Sequence, residues 1–500
     1  MMLIRESGIP AGHLMITTST KTATLYYFLL SLRISHKISL TRASAAVSTA
    51  VLMLLMVACD RTTRCPVRDQ APVPNNQQLP PGAKKIKHVV VIFQENRTPD
   101  NLFHDPVLIA RGADISSSGT NSLGHTVALK PIALANDYDL DHSHRAFLDM
   151  CDCGKMDGAD EVKVFCGKNA SNCPSTDAPF AYVTPSEVQP YFQLAEQFTF
   201  GDRMFQTNQG PSFAAHQFII SGTSAPTSRS KLFAAENATR NAAGCTAPLW
   251  ARVKLIDPAG DESLRQYPCF EHATLSDLLD AQGISWRYYT PSTPAIWTGP
   301  NAIKHICQPQ AQNGHTTCTG SAWGNVTIPQ TQVLTDIANN QLASVSWVIP
   351  SGAASDHALN NDGSGPSWVA SIVNAIGNSP YWSDTAIIIT WDDWGGWYDH
   401  VPPKIINSYE YGFRVPLIVA SPYAKPGYVS HVTHDFGSVL KFTEQIYGLP
   451  TLGYADVAAD DLSDCFDFNQ QPLKFQAIRT SMRAEQFLND HRPPTDPDDD

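Results

Sequence analysis

Apolar positions along the chain fall into two patterns. The first is the short unbroken run: residues 89–93 in "KHVVVIFQEN", 386–391 in "AIIITWDD", 415–420 in "RVPLIVASP", and "ASVSWVIP" at 343–350. Runs of this length without alternation predict strands buried on both faces, as at the centre of an α/β sheet. The second is helical spacing, seen in "LSDLLDAQ" near 275–282 and "PSWVASIVNAIGNS" near 366–379. It recurs in "SVLKFTEQIY" at 438–447, where Ser438 reads as the N-cap. Strand runs separated by helical stretches predict an α/β fold with a central, mostly parallel sheet sandwiched between helices.

Two of the runs end in acids. Glu95 and Asn96 follow the first; Asp392 and Asp393 follow the second. Ligands of open α/β sheets bind at the C-terminal ends of the strands, so these distant segments can converge there. Two adjacent carboxylates repel unless a proton or a cation compensates them. Hard oxygen ligands of this kind suit Mg, Ca or Mn, and carboxylates also serve Zn. The competing reading makes Asp392 and Asp393 turn residues of a tight loop with Gly395 and Gly396. The second acid at another strand end favours the metal.

Other residues extend the candidate chemistry. In "GDRMFQTNQGPSFAAHQFIISGTS", residues 201–224, a Gly-Pro turn precedes Ser212 and an apolar helical stretch. A hydroxyl at a helix N-terminus sits at the positive end of the dipole, which suits an anion or an attacking alkoxide. Plain N-capping by Ser212 is the alternative. "DYDLDHSHRAF" holds His142 and His144 among Asp137, Asp139 and Asp141, and "GAASDHALNNDG" holds His357 after Asp356. Such histidines can bind phosphate or protonate a leaving group.

Composition narrows the class. Five hundred residues, 43% hydrophobic, can bury one large α/β unit or two domains. A formal net charge of −12 argues against a nucleic-acid binder. Residues 1–58 read as an export signal: the apolar "SAAVSTAVLMLLMVA" at 44–58 follows Lys37 and Arg42. The stretch before it is long for a signal and points to a later start, such as Met15. "LMVAC" resembles a bacterial lipobox that would lipidate Cys59; an ordinary signal peptide is the other reading. Residues 59–82 read as a linker, 83–490 as the catalytic domain and 491–500 as a disordered acidic tail. Without Cys59 ten cysteines remain, an even number that suits disulfides in an oxidising compartment. Cys151, Cys153, Cys166 and Cys173 cluster, and Cys307 and Cys318 bracket a short loop. A zinc site is the rival for the cluster, and export favours disulfides.

Taken together and in order, "IKHVVVIFQENRTPDNLF", "DLDHSHRAF", "CGKMDG", "GDRMFQTNQGPSFAAHQFIISGTS", "TAIIITWDDWGGWYDHVPP" and "GFRVPLIVASPYAKPG" resemble the bacterial phosphoesterases that include phospholipases C and an acid phosphatase. The resemblance spans residues 85 to 450. It implies an alkaline-phosphatase-like fold with metal at the strand ends. It implies that Glu95, Asn96, Asp392 and Asp393 bind a divalent cation, and that Ser212 is the nucleophile and faces the metal. His142 and His357 match positions that contact phosphate or serve the leaving group; His144, His216, Asp399 and His400 lie near these motifs. Thr98, Pro99 and Ala159 depart from the family pattern and leave substrate choice open.

The expected function is an exported, metal-dependent phosphoesterase working through a phosphoserine intermediate. The alternatives are a phospholipase C acting on phospholipid head groups, and a non-catalytic surface binding protein with a structural metal site. A sulfatase would carry C/S-x-P-x-R, which "SFAAH" after Pro211 does not match. Expected partners are a phosphate ester or a phospholipid, no nucleic acid, and a membrane if Cys59 is lipidated. A lipase would need an apolar rim; Trp394, Trp397 and Tyr398 are candidates, with packing as their alternative role.

Overall fold

The computed structural model describes residues 73–494 except Asn169, Ser171, Asn172 and Asn313. The expected export segment, Cys59, residues 60–72 and residues 495–500 lie outside the described residues.

The four apolar runs all form strands of one eight-stranded sheet. In chain order its members are β1 (His88–Gln94), β2 (Thr199–Gly201), β3 (Trp286–Tyr289), β4 (Val326–Thr327), β5 (Val345–Val348), β6 (Thr385–Trp391), β7 (Leu417–Ala420) and β8 (Tyr428–Ser430). Their spatial order is β4-β3-β5-β1-β6-β7-β2-β8. β1 lies between β5 and β6, parallel to both, and β3 and β4 continue the parallel run. All seven residues of β6 are buried, as an unbroken β-branched run requires when both faces are covered. β7 alone runs against its neighbours β6 and β2. The end of the 415–420 run therefore opens on the edge opposite the acids.

Helices cover both faces. The six that matter here are α1 (Gln189–Gln197), α2 (Ser212–Ser221), α3 (Leu275–Ala281), α4 (Gln332–Ala338), α5 (Gly365–Gly377) and α6 (Phe436–Tyr447). Successive strand residues point to opposite faces. Phe93 of β1 packs edge-on against Phe436 of α6 and His216 of α2, with centroids 5.2 and 5.0 Å away. Trp391, level with Gln94, points the other way and meets Tyr191 of α1 at 5.1 Å. α6 is capped by Asp435, whose carboxylate accepts from the Ser438 N–H at 3.1 Å. Ser438 is thus the third helical residue of a capping box rather than the N-cap.

Three disulfides lie wholly within the described residues: Cys166–Cys173, Cys245–Cys269 and Cys307–Cys318. Cys153 is also disulfide-bonded. Cys151 and Cys465 are buried free thiols, so pairing does not extend to every remaining cysteine. The described end of the 59–82 stretch lies against α6, where Gln445 Oε1 accepts from the Leu79 N–H at 2.6 Å.

Candidate active site

Register creates the site. Gln94 pairs with Trp391, so the next residues, Glu95 and Asp392, leave the sheet side by side. The Asp392 N–H still donates to the Gln94 carbonyl at 2.9 Å. Asn96 then turns into the left-handed region at φ 60° and donates its N–H to Asp392 Oδ1 at 3.0 Å. That close approach needs a glycine opposite. Gly395 has φ +62°, and a Cβ there would stand 2.4 Å from the Asn96 carbonyl oxygen. Gly395 is thus a steric necessity of bringing the two strand ends together, whereas Gly396, at φ +74°, makes room for Leu140, whose Cβ would stand 2.4 Å from an added one.

α2 delivers two further groups. Ser212 is its first residue; Pro211 precedes it as the N-cap and offers no capping side chain, and Asn237 Oδ1 accepts from the Phe213 N–H at 3.0 Å. The Ser212 hydroxyl points instead to Asp393, donating to Oδ2 at 3.4 Å. One turn on, His216 Nε2 lies 3.1 Å from Glu95 Oε1 and 3.9 Å from Asp392 Oδ2. Its Nδ1 lies 3.2 Å from the Tyr288 hydroxyl. Ligand atoms of Glu95, His216 and Asp392 fall within 4.8 Å of one another.

The two histidines expected to handle phosphate are close together, with centroids 5.7 Å apart. His142 Nδ1 lies 2.7 Å from the Leu140 carbonyl, and His357 Nδ1 lies 2.7 Å from the Ala358 carbonyl. A carbonyl can only accept, so each Nδ1 carries a proton, and each Nε2 is the nitrogen left for chemistry. His142 Nε2 lies 3.2 Å from Asn96 Nδ2. Beside His357, the Asp356 carboxylate accepts from Tyr191 and from Trp391 Nε1, at 2.8 and 3.0 Å. Burial pushes that carboxyl up to about 6, against the pull of Arg97.

Glu95, Asn96, His142, Ser212, His216, His357, Asp392 and Asp393 are all fully buried. Three carboxylates in one water-poor place are costly without a compensating cation. Asn96 Oδ1 and Asp392 Oδ2 are buried and make no hydrogen bond among the described residues. Oxygen acceptors left in this way beside a Glu–His–Asp group fit a divalent metal.

The Phosphoesterase family model matches residues 86–450. The chain belongs to the phosphoesterase family. It is a hydrolase acting on phosphoester bonds. Phospholipase C A of Mycobacterium tuberculosis is 24% identical over 440 residues, covering 77% of this chain and 78% of that one. The hemolytic phospholipase C of Pseudomonas aeruginosa is 24% identical over 332 residues, covering 57% of this chain and 43% of its own. Among solved structures, an alkaline phosphatase superfamily protein from Vibrio parahaemolyticus is 11% identical, with a TM-score of 0.34 over 83% of this chain and 76% of that one.

The remaining residues singled out in the phosphoesterase sequence stand outside the carboxylate cluster. His144 lies 2.6 Å from Glu262 and 3.1 Å from Gln209. His400 bonds Asp100 and Asp114, and Asp399 accepts from Arg414 Nε at 2.9 Å. Asp100, Asp399 and His400 form a second compact acidic group, but Arg414 Nη2 also reaches Asp100 at 3.3 Å. A guanidinium already supplies the positive charge there. Trp394 and Trp397 are fully buried and Tyr398 is 4% exposed, so these aromatics pack and form no rim. His216 is the member of the cluster whose role the motifs left unassigned. The signal was available: Ser212 and His216 stand four apart on a helix, hence on one face.

Proposed function

We propose that the chain is an exported, metal-dependent phosphoesterase that works through Ser212 and a phospho-enzyme. One observation carries the nucleophile. Ser212 stands at the first position of α2, caps nothing, and aims its hydroxyl at Asp393, whose N–H donates to Asp392 of the Glu95–His216–Asp392 group. A merely structural metal site has no use for such a hydroxyl, which weighs against a non-catalytic binding protein. Glu95, Asn96, Asp392, Asp393 and Ser212 would hold the cation, with His216 as a further ligand. A bound Ca, Mg, Mn or Zn ion supplies charge compensation for the phosphoryl oxygens and the serine oxygen.

The chain's own groups do the rest. Asp393 orients the Ser212 hydroxyl, and the positive end of the α2 dipole favours the developing alkoxide. Ser212 Oγ attacks phosphorus in line as its proton passes to Asp393 Oδ2, the acceptor it already faces, and the bond from phosphorus to the alcohol oxygen breaks. His142 or His357, entering the cycle as an imidazolium, gives the departing oxygen the proton on its Nε2. Water then attacks the serine phosphate, the same histidine takes a proton from it, and the serine oxygen leaves, taking back its proton from Asp393. The buried walls exclude competing water, so each charge acts in a low dielectric.

A phospholipase C, cleaving head-group diesters, is a second reading supported by the names of the relatives. Hydrolysis of p-nitrophenyl phosphate and of its phosphorylcholine diester, with and without chelator, separates the two. Turnover of neither, or turnover indifferent to chelator, overturns the proposal. The disulfides support an oxidising compartment and hence export. The family match lies inside the proposed 83–490 catalytic domain, and attachment through a lipidated Cys59 remains part of the proposal.

A further inference from the structure

Beside the nucleophile helix stands a small three-stranded sheet: Phe233–Ala234, Val253–Ile256 and Leu264–Gln266. The connection between its first two strands begins at the active site, because Asn237 Oδ1 accepts from the Phe213 N–H at 3.0 Å. Its far end carries an adjacent apolar pair in open solvent. Leu249 is 87% exposed, the highest among the described large apolar residues, and Trp250 is 52% exposed. Isolated surface apolar residues are ordinary. This pair differs in being held rigidly outward.

Several bonds hold it. The Cys245–Cys269 disulfide ties the base of the tip. The Tyr267 hydroxyl donates to the Ala247 carbonyl at 2.6 Å, and the Cys245 N–H donates to the Asn301 carbonyl at 2.8 Å. Arg252 Nη1 donates to the carbonyls of Leu249 and Ala251 at 2.8 and 2.7 Å. A backbone tied in this way cannot fold its apolar side chains back onto the protein.

The charge around the tip is opposite to that of the molecule. The chain carries −12, yet residues 238–253 contain Arg240 and Arg252 and no acid. The Arg240 guanidinium lies over the Trp250 ring at 5.7 Å. Lys254, the next cation along, is taken by Glu236 and Glu262, each at 3.8 Å. A rigid Leu-Trp pair framed by arginines has the composition of an interfacial anchor: the indole favours the lipid–water boundary, and arginine pairs with phosphate. We propose that this tip docks the enzyme on an anionic phospholipid surface, with Leu249 and Trp250 in the headgroup layer. Two residues separate Arg240 from Asn237, at most about 11 Å of chain, so docking here brings the surface to the nucleophile's neighbourhood. The inference adds to the phosphoesterase reading and does not depend on which ester is cut.

The test compares full-length chains with the same N-terminus on vesicles of phosphatidylcholine with phosphatidylglycerol, and of phosphatidylcholine alone. The double variant Leu249→Ser, Trp250→Ser should lose at least about tenfold in partitioning to the mixed vesicles, given the apolar area withdrawn from the interface. Arg240→Glu should weaken binding to the mixed vesicles and leave binding to neutral ones unchanged. Both variants should keep p-nitrophenyl phosphate hydrolysis. Equal partitioning of wild type and double variant, or no binding by wild type, overturns the proposal. So does a wild-type dimer that the double variant converts to monomer, which would make a second copy the occupant. Failure of wild type to hydrolyse either p-nitrophenyl phosphate or its phosphorylcholine diester would instead overturn the phosphoesterase reading and leave the vesicle result standing.

Discussion

Ser212 and Asp392 are the two residues on which the proposed chemistry can be tested most directly. Replacing Ser212 by alanine removes the hydroxyl and leaves Glu95, His216, Asp392 and Asp393 in place. Turnover should fall on the order of a thousandfold or more, the scale expected when a nucleophile leaves a site that keeps its electrostatics. The thermal midpoint should hardly move, because no capping bond is lost. A drop of about 1 kcal/mol in stability with preserved turnover is the capping outcome, and it would refute the nucleophile. Ser212→Thr keeps the hydroxyl and should retain part of the rate. Asp392→Asn acts through charge. It should lower metal content and turnover together. With metal stripped by chelator, the variant should melt higher than stripped wild type, because one of three crowded carboxylate charges has gone. Chelator should therefore shift the wild-type midpoint far more than the variant's. Full metal occupancy and normal turnover in Asp392→Asn would refute the metal reading.

At the scale of elements, the site depends on two strand ends meeting through a loop that admits no side chain. Gly395→Ala places a Cβ against the Asn96 carbonyl and forces a positive φ on alanine. We expect a loss of about 2 kcal/mol or more in stability, with a fall in metal affinity out of proportion to it, because the displaced residue is Asn96. Denaturant unfolding and metal titration of the same preparation check this; an unchanged affinity would show that the loop does not set the ligand geometry. Much of this level was legible in sequence. The unbroken runs at 89–93 and 386–391 became adjacent central strands, and the acids at their ends met as the strand-end rule requires. The direction of β7 was not legible, since an apolar run carries no polarity and its sense is fixed by the chain's connections. The cap of α6 was misplaced by three residues, because Asp435 and Ser438 are both good caps and only backbone geometry separates them. The Asp399–Arg414–Asp100 network was hidden for another reason: Asp100 and Arg414 are 314 positions apart. No local pattern announces such a pair.

At the scale of the whole molecule, buried carboxyls give stability a pH dependence whose sign can be worked out. Burial pushes Glu444, on α6, from 4.5 up to about 8, and Glu236, near Glu262 and Asp141, also up to about 8. In the unfolded chain both would titrate near 4.5. Between that pH and about 8 the native state therefore holds protons that the unfolded state has released. Raising the pH through this window removes stability, and lowering it restores stability. Asp100, Asp277 and Asp460 act oppositely. Hydrogen bonds from His400, His305 and His434 hold them below the ordinary carboxylate value despite burial, so their contribution is lost as pH falls through their native values. The contributions of Glu444 and Glu236 therefore decline from about pH 5 toward pH 8, while those of the three aspartates are lost only in acid. The Glu444→Gln variant isolates one contributor. It keeps an acceptor for the Leu452 N–H, which Glu444 Oε1 holds at 3.1 Å, and has no charge to bury. It should melt like wild type near pH 4.5 and above wild type at pH 8, by the equivalent of a few kcal/mol at most. Midpoints for both proteins across the window decide the matter: parallel curves would mean that Glu444 is ionised in the native state, and that the slope arises elsewhere in the fold.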